Sequence, residues 1–198
     1  MEKIKPKRTM SGSIRTFIAL ELPPTVISLL HTVQQELKQL KIRARWVRAE
    51  NIHLTLKFIG DINPGDVDTL SAAMADAAKG FSPVILAVRG IGVFPSIKRP
   101  RVVWVGLGGD IRSLSALQSR LEDELAEAGV ARDKRSFKAH LTLGRIKQPP
   151  GPDLIRQMIA EHATLSSDEF TCDQVILFKS DLKPSGAVYT KLKQTNLE

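Results

Sequence analysis

The chain has 198 residues, of which 42% are hydrophobic and 25% charged, the balance of an ordinary globular protein with one core. Its single cysteine, Cys172, excludes a disulfide framework and favours a reducing compartment, so we expect a cytoplasmic protein. The formal net charge of +8 favours a polyanionic partner. No apolar run approaches membrane-spanning length. Residues 1–13 are basic but lack the apolar core of a secretory signal, which predicts a disordered tail.

Hydrophobic periodicity and turn residues predict strands and helices in two similar halves. The first half predicts helices over 24–41 and up to about residue 80, with strands over 14–20, 44–47, 52–59 and 84–93. The second half predicts helices over 110–128 and 153–162, with strands over 102–107, 137–146, 170–179 and 187–192. No linker or low-complexity tract divides the halves, so we expect one domain over 14–195.

The tetrapeptide His-Leu-Thr-Leu occurs twice, at 53–56 and at 140–143, a separation of 87 residues. The same shift aligns the strand at 17–20 with the strand at 104–107. Each half therefore has a strand, a helix and then the motif. Because duplicated units usually pack about a pseudo-two-fold axis, we expect both motifs to border one cleft.

Each motif offers one histidine and one threonine to the same side of a strand, because side chains alternate between the two faces. The two leucines of each motif therefore point the other way, and we expect them to be buried in a core behind the cleft. Histidine is well suited to move protons near neutral pH, and a threonine hydroxyl can donate a hydrogen bond to a phosphoryl oxygen. Two histidines on either side of a phosphorus could take a proton from water and give one to a leaving sugar oxygen. One such motif means little, since a histidine beside apolar residues is usually structural. Two copies in register favour the catalytic interpretation. His31 and His162 lie outside the repeat and are interpreted as surface or packing residues.

Basic residues cluster close to both motifs, and such clusters would focus positive potential on a shared cleft. The alternative is a set of solvated loops. The three clusters are Arg43, Arg45 and Arg48; Lys98, Arg99 and Arg101; and Arg132, Lys134, Arg135 and Lys138.

Three weaker signals leave alternatives open. Gly106–Gly109 precedes a helix but lacks the spacing and the lysine of a nucleotide-binding loop. His53, His140 and Cys172 are ligand types for a metal, but they have no metal-ligand spacing. Four aromatic residues are candidates for stacking on a base, although for any one of them a core position is the favoured interpretation: Phe17, Trp46, Phe58 and Phe94.

Paired His-x-Thr-x motifs resemble the 2H phosphoesterase superfamily. The chain is most similar to its RNA 2′,3′-cyclic phosphodiesterase branch, also called the 2′-5′ RNA ligase family. The similarity runs from about residue 14 to 192. The blocks that carry it, in family order, are 15–20, 46–47, 53–60 (HLTLKFIG), 92–95, 99–104, 140–145 (HLTLGR), 177–180 and Tyr189.

The resemblance implies a bilobal α+β fold in which two mostly antiparallel sheets flank a central cleft, with helices outside. It implies an enzyme that needs neither a metal nor ATP nor any other cofactor, and that opens a terminal 2′,3′-cyclic phosphate to a 2′-phosphate. His53 and His140 would be the acid/base pair, and Thr55 and Thr142 would hold the phosphate.

Arg145 matches a family arginine that contacts the phosphate. Strict alternation along the strand would instead turn Arg145 towards the leucine face. Its role therefore requires the strand to end or bulge near Gly144. Lys57, which follows the first motif, is given no role.

The expected partner is RNA with a 2′,3′-cyclic phosphate end or a cyclic nucleotide, with no membrane, and we expect a monomer. Two alternatives use the same cleft. One is 2′-5′ RNA ligation driven by the energy stored in the cyclic phosphate. The other is a module that binds RNA or nucleotide ends without turnover.

Overall fold

The computed structural model describes residues 12–184 and 186–198, so the predicted tail lies outside the described residues except for its last two. The described chain forms nine strands and four α-helices. In chain order they are β1 Ile14–Leu20, α1 Pro24–Gln39, β2 Ala44–Trp46, β3 Leu54–Ile62, α2 Val67–Ala78, β4 Val84–Phe94, β5 Val102–Gly109, α3 Ile111–Glu127, β6 His140–Ile146, α4 Pro152–Glu161, β7 Phe170–Cys172, β8 Gln174–Lys183 and β9 Gly186–Asn196.

Local signals explain where the helices begin. α1 has Pro24 in its first turn, where the missing N–H costs nothing because no intrahelical acceptor is within reach. α3 follows Asp110, whose carboxylate accepts a hydrogen bond from the backbone N–H of Ser113 at 3.0 Å and so caps the helix. Each helix then turns an apolar stripe towards the sheet, as Leu30 and Leu37 do in α1.

The strands pair in the order β7-β4-β5-β6-β3-β1-β8-β9, and β2 adds to β6. Every one of these pairs is antiparallel. The α+β class predicted through the resemblance is confirmed. The two expected sheets are the groups β7-β4-β5-β6 and β3-β1-β8-β9, and they are joined edge to edge by a single residue pair, Leu54 with Leu141.

This joining pair reveals the symmetry of the fold. Leu54 and Leu141 are the second residues of the two motifs, 87 positions apart. Equivalent residues that face each other in an antiparallel ladder are related by a local two-fold axis between them. The predicted pseudo-dyad is therefore present, and the motif strands lie side by side across it.

Each half also contributes one strand to the sheet of the other half. β4 belongs to the first half of the chain but pairs with β5, and β8 belongs to the second half but pairs with β1. This exchange explains one difference from the prediction. The single strand expected over 170–179 is divided at Asp173, because β7 pairs with β4 in one sheet and β8 pairs with β1 in the other.

The two faces of the sheet bury different residues. Ile18 and Leu20 of β1 belong to the main core with the apolar stripes of the helices. Phe17 and Ala19, which alternate with them, form a smaller cluster on the opposite face. The motif leucines were predicted to be buried behind the cleft, and all four belong to the main core: Leu54, Leu56, Leu141 and Leu143.

We predict that Leu54→Ala lowers the free energy of unfolding by about 2–5 kcal/mol, the usual range for truncating a buried leucine. Leu54 is fully buried at the junction of the two sheets, so the cavity would form where the halves meet. Urea unfolding measures the change. Leu182→Ala is the control, because Leu182 is 67% exposed and its truncation should change stability by less than about 0.5 kcal/mol. Equal effects of the two substitutions would contradict the prediction.

Candidate active site

Both motif strands carry a β-bulge at the second leucine of the motif. In β3, Thr55 pairs with Ala19 and Lys57 with Ile18, which leaves Leu56 as the extra residue. In β6, Thr142 pairs with Trp104 and Gly144 with Val103, which leaves Leu143 as the extra residue. A bulge reverses the alternation of side chains beyond it.

The bulges decide which side chains reach the cleft. Beyond Leu56, Lys57 turns inward and Phe58 turns outward. Beyond Leu143, Gly144 is buried and Arg145 is exposed. The bulge that Arg145 requires is therefore present, one residue before the expected position.

Buried glutamines from the helices satisfy the carbonyl groups of the bulged leucines. Gln34 of α1 donates from Nε2 to the carbonyl of Leu143 at 2.9 Å. Gln118 of α3 donates from Nε2 to the carbonyl of Leu56 at 3.4 Å. α1 belongs to the first half and α3 to the second, so each helix supports the motif strand of the other half. Because buried polar groups are costly when unpaired, these contacts stabilise the bulges.

A cavity of about 450 Å³ opens on the face that carries the motif threonines. Four of the five predicted site residues line it: His53, Thr55, Thr142 and Arg145. The other described residues around it include Arg15, Arg45, Arg48, Asn51, Phe58, Ser180 and Tyr189. His140 does not line this cavity. It lies two residues before Thr142 on β6, facing the same side of the strand.

The two histidines are held in the same way. Nδ1 of His53 lies 2.8 Å from the carbonyl oxygen of Asn51, and Nδ1 of His140 lies 2.6 Å from that of Lys138. A carbonyl can only accept, so Nδ1 carries the hydrogen in both rings. Each neutral ring therefore keeps a lone pair on Nε2.

The surroundings of the two histidines differ. The ring of His53 stacks on Phe17, with centroids 4.6 Å apart, and meets the edge of Tyr189 at 5.3 Å. This burial lowers the pKa of His53, although its hydrogen bond to Asn51 opposes the shift. The ring of His140 instead meets Phe94 edge-on, with centroids 5.0 Å apart.

The cavity is positively charged. Four arginines line it, and none of its described lining residues is acidic. The guanidinium of Arg15 lies 4.6 Å from the ring centroid of Phe58, which is 46% exposed. Of the four aromatic candidates for base stacking, Phe17 is buried beneath His53, whereas Phe58 lines the cavity and is partly exposed beside Arg15.

The other sequence candidates lie elsewhere. His162 packs at the end of α4, with Nε2 3.2 Å from the carboxylate of Glu36, and His31 is exposed on α1, as predicted for both. Cys172 is buried in the core, where burial raises the pKa of its thiol to about 12. Among the described residues, no three histidine, cysteine or acidic side chains are grouped so that they could hold a metal ion. Gly106–Gly109 lies within β5 and pairs with β4, which excludes a phosphate loop.

Sequence reasoning missed the role of Lys57, which is only 2% exposed. Its Nζ donates to Glu122 of α3 at 2.7 Å and to the carbonyl of Ala131 at 2.9 Å, and it lies 3.6 Å from Asp133. The lysine thus ties the first motif strand to α3 and to the segment that leads to the second motif. The sequence alone does not reveal this contact. Without the bulge, Lys57 would point to the same face of the strand as Thr55.

Asn51 was also missed. Its backbone carbonyl holds His53, and its side-chain Nδ2 donates to the carbonyl of Ala187 in β9 at 2.8 Å. It therefore links the histidine to the strand that carries Tyr189. A lone asparagine two residues before the motif offers no signal by which the sequence could reveal this.

A duplicated fold with one His-x-Thr motif on each side of a dyad is that of a 2H phosphoesterase. The family described as LigT like Phosphoesterase matches residues 20–104 and 107–189, and the chain belongs to this family. The assignment made from sequence blocks is confirmed. Within the described residues, no helix is long and apolar enough to cross a membrane.

Relatives and solved structures agree with the family. The chain is 32% identical over 180 residues to the RNA 2′,3′-cyclic phosphodiesterase of Methanothermobacter thermautotrophicus, covering 91% of this chain and 97% of that protein. It is 27% identical to the protein of the same name from Aquifex aeolicus, covering 91% and 96%. Among structures, TT0787 of Thermus thermophilus superposes with a TM-score of 0.73 at 27% identity, covering 93% and 98%. LigT of E. coli in complex with 3′-AMP superposes with a TM-score of 0.70 at 25% identity, covering 93% and 98%.

We predict that Lys57→Met lowers the free energy of unfolding by about 3–5 kcal/mol, because it leaves the carboxylate of Glu122 largely buried and without its cation. Lys193→Met is the control, because Lys193 pairs with Asp68 on the surface and should matter far less. The double variant Lys57→Met/Glu122→Leu should be more stable than the sum of its two single changes allows. Additive losses in urea unfolding would contradict a coupled pair.

Proposed function

We propose that this protein hydrolyses the terminal 2′,3′-cyclic phosphate of RNA to a 2′-phosphomonoester, using His53 and His140 as an acid/base pair. One observation carries the proposal: both histidines are fixed through Nδ1 to the carbonyl two residues earlier, so both offer Nε2. Relatives named RNA 2′,3′-cyclic phosphodiesterase support the substrate class.

The phosphate would be held by neutral and charged donors together. The hydroxyl groups of Thr55 and Thr142 can donate to two phosphoryl oxygens, and the guanidinium of Arg145 can donate two parallel hydrogen bonds. The exposed part of the Phe58 ring, which lies beside Arg15, offers the terminal base a surface on which to stack. Since no described lining residue is acidic, nothing in the cavity repels the anion.

The reaction requires two proton transfers. One histidine removes a proton from water as its oxygen bonds to phosphorus. The bond between phosphorus and O3′ breaks, and the second histidine, which enters the reaction as the imidazolium, gives its Nε2 proton to O3′. The product carries the phosphate on O2′, and a proton exchange with solvent restores both rings.

The scheme uses neither a metal nor ATP, and we expect the protein to act as a monomer in the cytoplasm. The decisive assay follows an RNA that ends in a 2′,3′-cyclic phosphate, in EDTA and without ATP. Conversion of the cyclic end to a 2′-phosphomonoester that stays on the RNA supports hydrolysis. Joining to an added 5′-hydroxyl RNA would indicate ligation, and tight binding without either product would indicate a binding module. Activity that disappears in EDTA and returns with zinc or magnesium would contradict the metal-free scheme.

We predict that His53→Ala and His140→Ala each lower the rate of hydrolysis by about 10²- to 10⁴-fold, because each removes one proton transfer. His31→Ala is the matched control, since it removes an exposed histidine outside the site, and its rate should equal that of the wild type. Circular dichroism checks the fold of each variant. A folded motif variant that keeps more than about a tenth of the rate would rule out the two-histidine mechanism.

The pH profile should contain one limb that belongs to His53. Burial disfavours the charged imidazolium, so the lowered pKa of His53 should place the rising limb of kcat/KM below the ordinary value of about 6.5. The lower of the two pKa values sets the rising limb whether His53 is the base or the acid, because the reaction needs one ring protonated and the other unprotonated.

Tyr189→Ala tests the origin of this limb. Removing the phenol edge that packs on His53 exposes the ring to water, so the limb that belongs to His53 should move to higher pH while the other limb stays in place. A profile with both limbs at or above about 6.5, or one that Tyr189→Ala leaves unchanged, would contradict the argument.

A further inference from the structure

Two loops next to β6 place cations beside His140 but outside the cavity. We call them the basic loop pair, and they comprise 95–101, between β4 and β5, and 134–139, before β6. Their cations are all exposed: Lys98, Arg99, Arg101, Lys134, Arg135 and Lys138.

Contacts around His140 fix both loops next to the site. Lys138 holds His140 through its carbonyl and lies with Nζ 5.9 Å from the ring centroid of Phe94. Phe94 in turn contacts the His140 ring. The backbone N–H of Arg101 donates to the carbonyl of Phe94 at 2.7 Å. The loop 95–101 therefore begins at a residue that contacts the His140 ring, and the loop 134–139 ends directly before His140.

The charge of the basic loop pair is uncompensated. No aspartate or glutamate occurs in 95–109 or in 134–152. None of the six cations forms an ion pair within the described part of the chain. By contrast, the neighbouring Arg132 is paired with Asp123. Six like charges side by side repel one another and attract a polyanion.

The cavity itself does not need these charges. It is lined by Arg15, Arg45, Arg48 and Arg145, and its volume of about 450 Å³ is of the size that holds one small ligand. A terminal nucleotide with its cyclic phosphate would occupy it. The phosphates of the preceding nucleotides would have to lie outside.

We propose that the basic loop pair binds the backbone phosphates of the RNA chain that precedes the terminal nucleotide, so that the substrate is a polynucleotide end rather than a free cyclic mononucleotide. This inference rests on the proposed function. The chain would leave the cavity on the His140 side. Contacts of this kind carry no base specificity, because phosphates are the same at every position.

The test compares two substrates in one variant. Lys98→Ala/Arg99→Ala/Lys134→Ala/Arg135→Ala removes four cations without touching the residues assigned to the cavity or to His140. For an RNA of about ten nucleotides ending in a cyclic phosphate, KM at low salt should rise by about tenfold or more, and kcat should change little. The slope of log binding constant against log salt should fall by about 2–3, from roughly 0.7 for each single-strand phosphate contact. For a nucleoside 2′,3′-cyclic monophosphate, kcat/KM should be unchanged.

A matched variant controls for net charge. Lys79→Ala/Arg112→Ala/Arg120→Ala/Arg156→Ala removes the same number of cations from the helices and the end of α2, all of them exposed, and should leave both substrates unaffected. An equal loss of RNA cleavage in the two variants would show that only net charge matters. If the loop variant hydrolyses both RNA and the mononucleotide more slowly, the loops only position His140. If it hydrolyses both at the wild-type rate, the loops do not contact the substrate. Each of these results overturns the inference.

The proposed function can fail separately. If the wild-type protein cleaves neither substrate, fluorescence anisotropy with an RNA that carries a 2′-phosphate end still tests the surface, and the loop variant should bind it more weakly than the charge control. Vesicles with anionic lipid test whether the basic loop pair binds a membrane surface instead of RNA. Loop-dependent binding to vesicles without binding to RNA would show that the surface serves a membrane, and the inference would be wrong.

Discussion

The antiparallel contact between Leu54 and Leu141 lies where the two groups of strands meet. It is the single residue pair that joins the two groups of strands, and it places equivalent residues against each other on the dyad. In each strand, the histidine of the motif lies one residue before this leucine, and the threonine lies one residue after it. A backbone ladder at this point therefore brings both motifs to one face. Because the two leucines are also fully buried, the hydrophobic effect holds the contact that the chemistry requires.

The bulges extend this constraint to the next side chains, and the two halves have filled the resulting spaces differently. Lys57 and Gly144 are equivalent positions just beyond the bulges. At Gly144 the ring of Trp46 occupies the space, since a Cβ built on this glycine would lie 2.9 Å from that ring. At Lys57 the space holds an ammonium group bound to Glu122 and near Asp133, and Asp133 is the equivalent of Trp46. A packed aromatic ring in one half thus corresponds to a buried ion pair in the other.

The sequence could predict those features that depend on local pattern and on the repeat. Strand and helix order, the dyad and the burial of the motif leucines all follow from periodicity and from the 87-residue shift. The need for a bulge near Arg145 also followed, because alternation alone would have turned it inward. What could not be predicted depends on contacts between distant segments. The division at Asp173 arises from a change of partner strand, and the burial of Lys57 arises from an acidic partner 65 residues away.

The two histidines have different surroundings because the residue pairs on the strands next to them differ. In the first half, Phe17 pairs with Phe178 and stacks beneath His53. In the second half the equivalent pair is Trp104 and Gly92. Because Gly92 has no side chain, the indole of Trp104 lies over it, where an added Cβ would be 2.2 Å from the ring, and its centroid is 6.5 Å from that of His140. His53 is thus enclosed by aromatic rings, while His140 borders the basic loop pair. Duplication supplied two histidines with the same tautomer. Divergence around them placed His53 in a cavity lined by aromatic and basic residues and left His140 beside an exposed, positively charged surface.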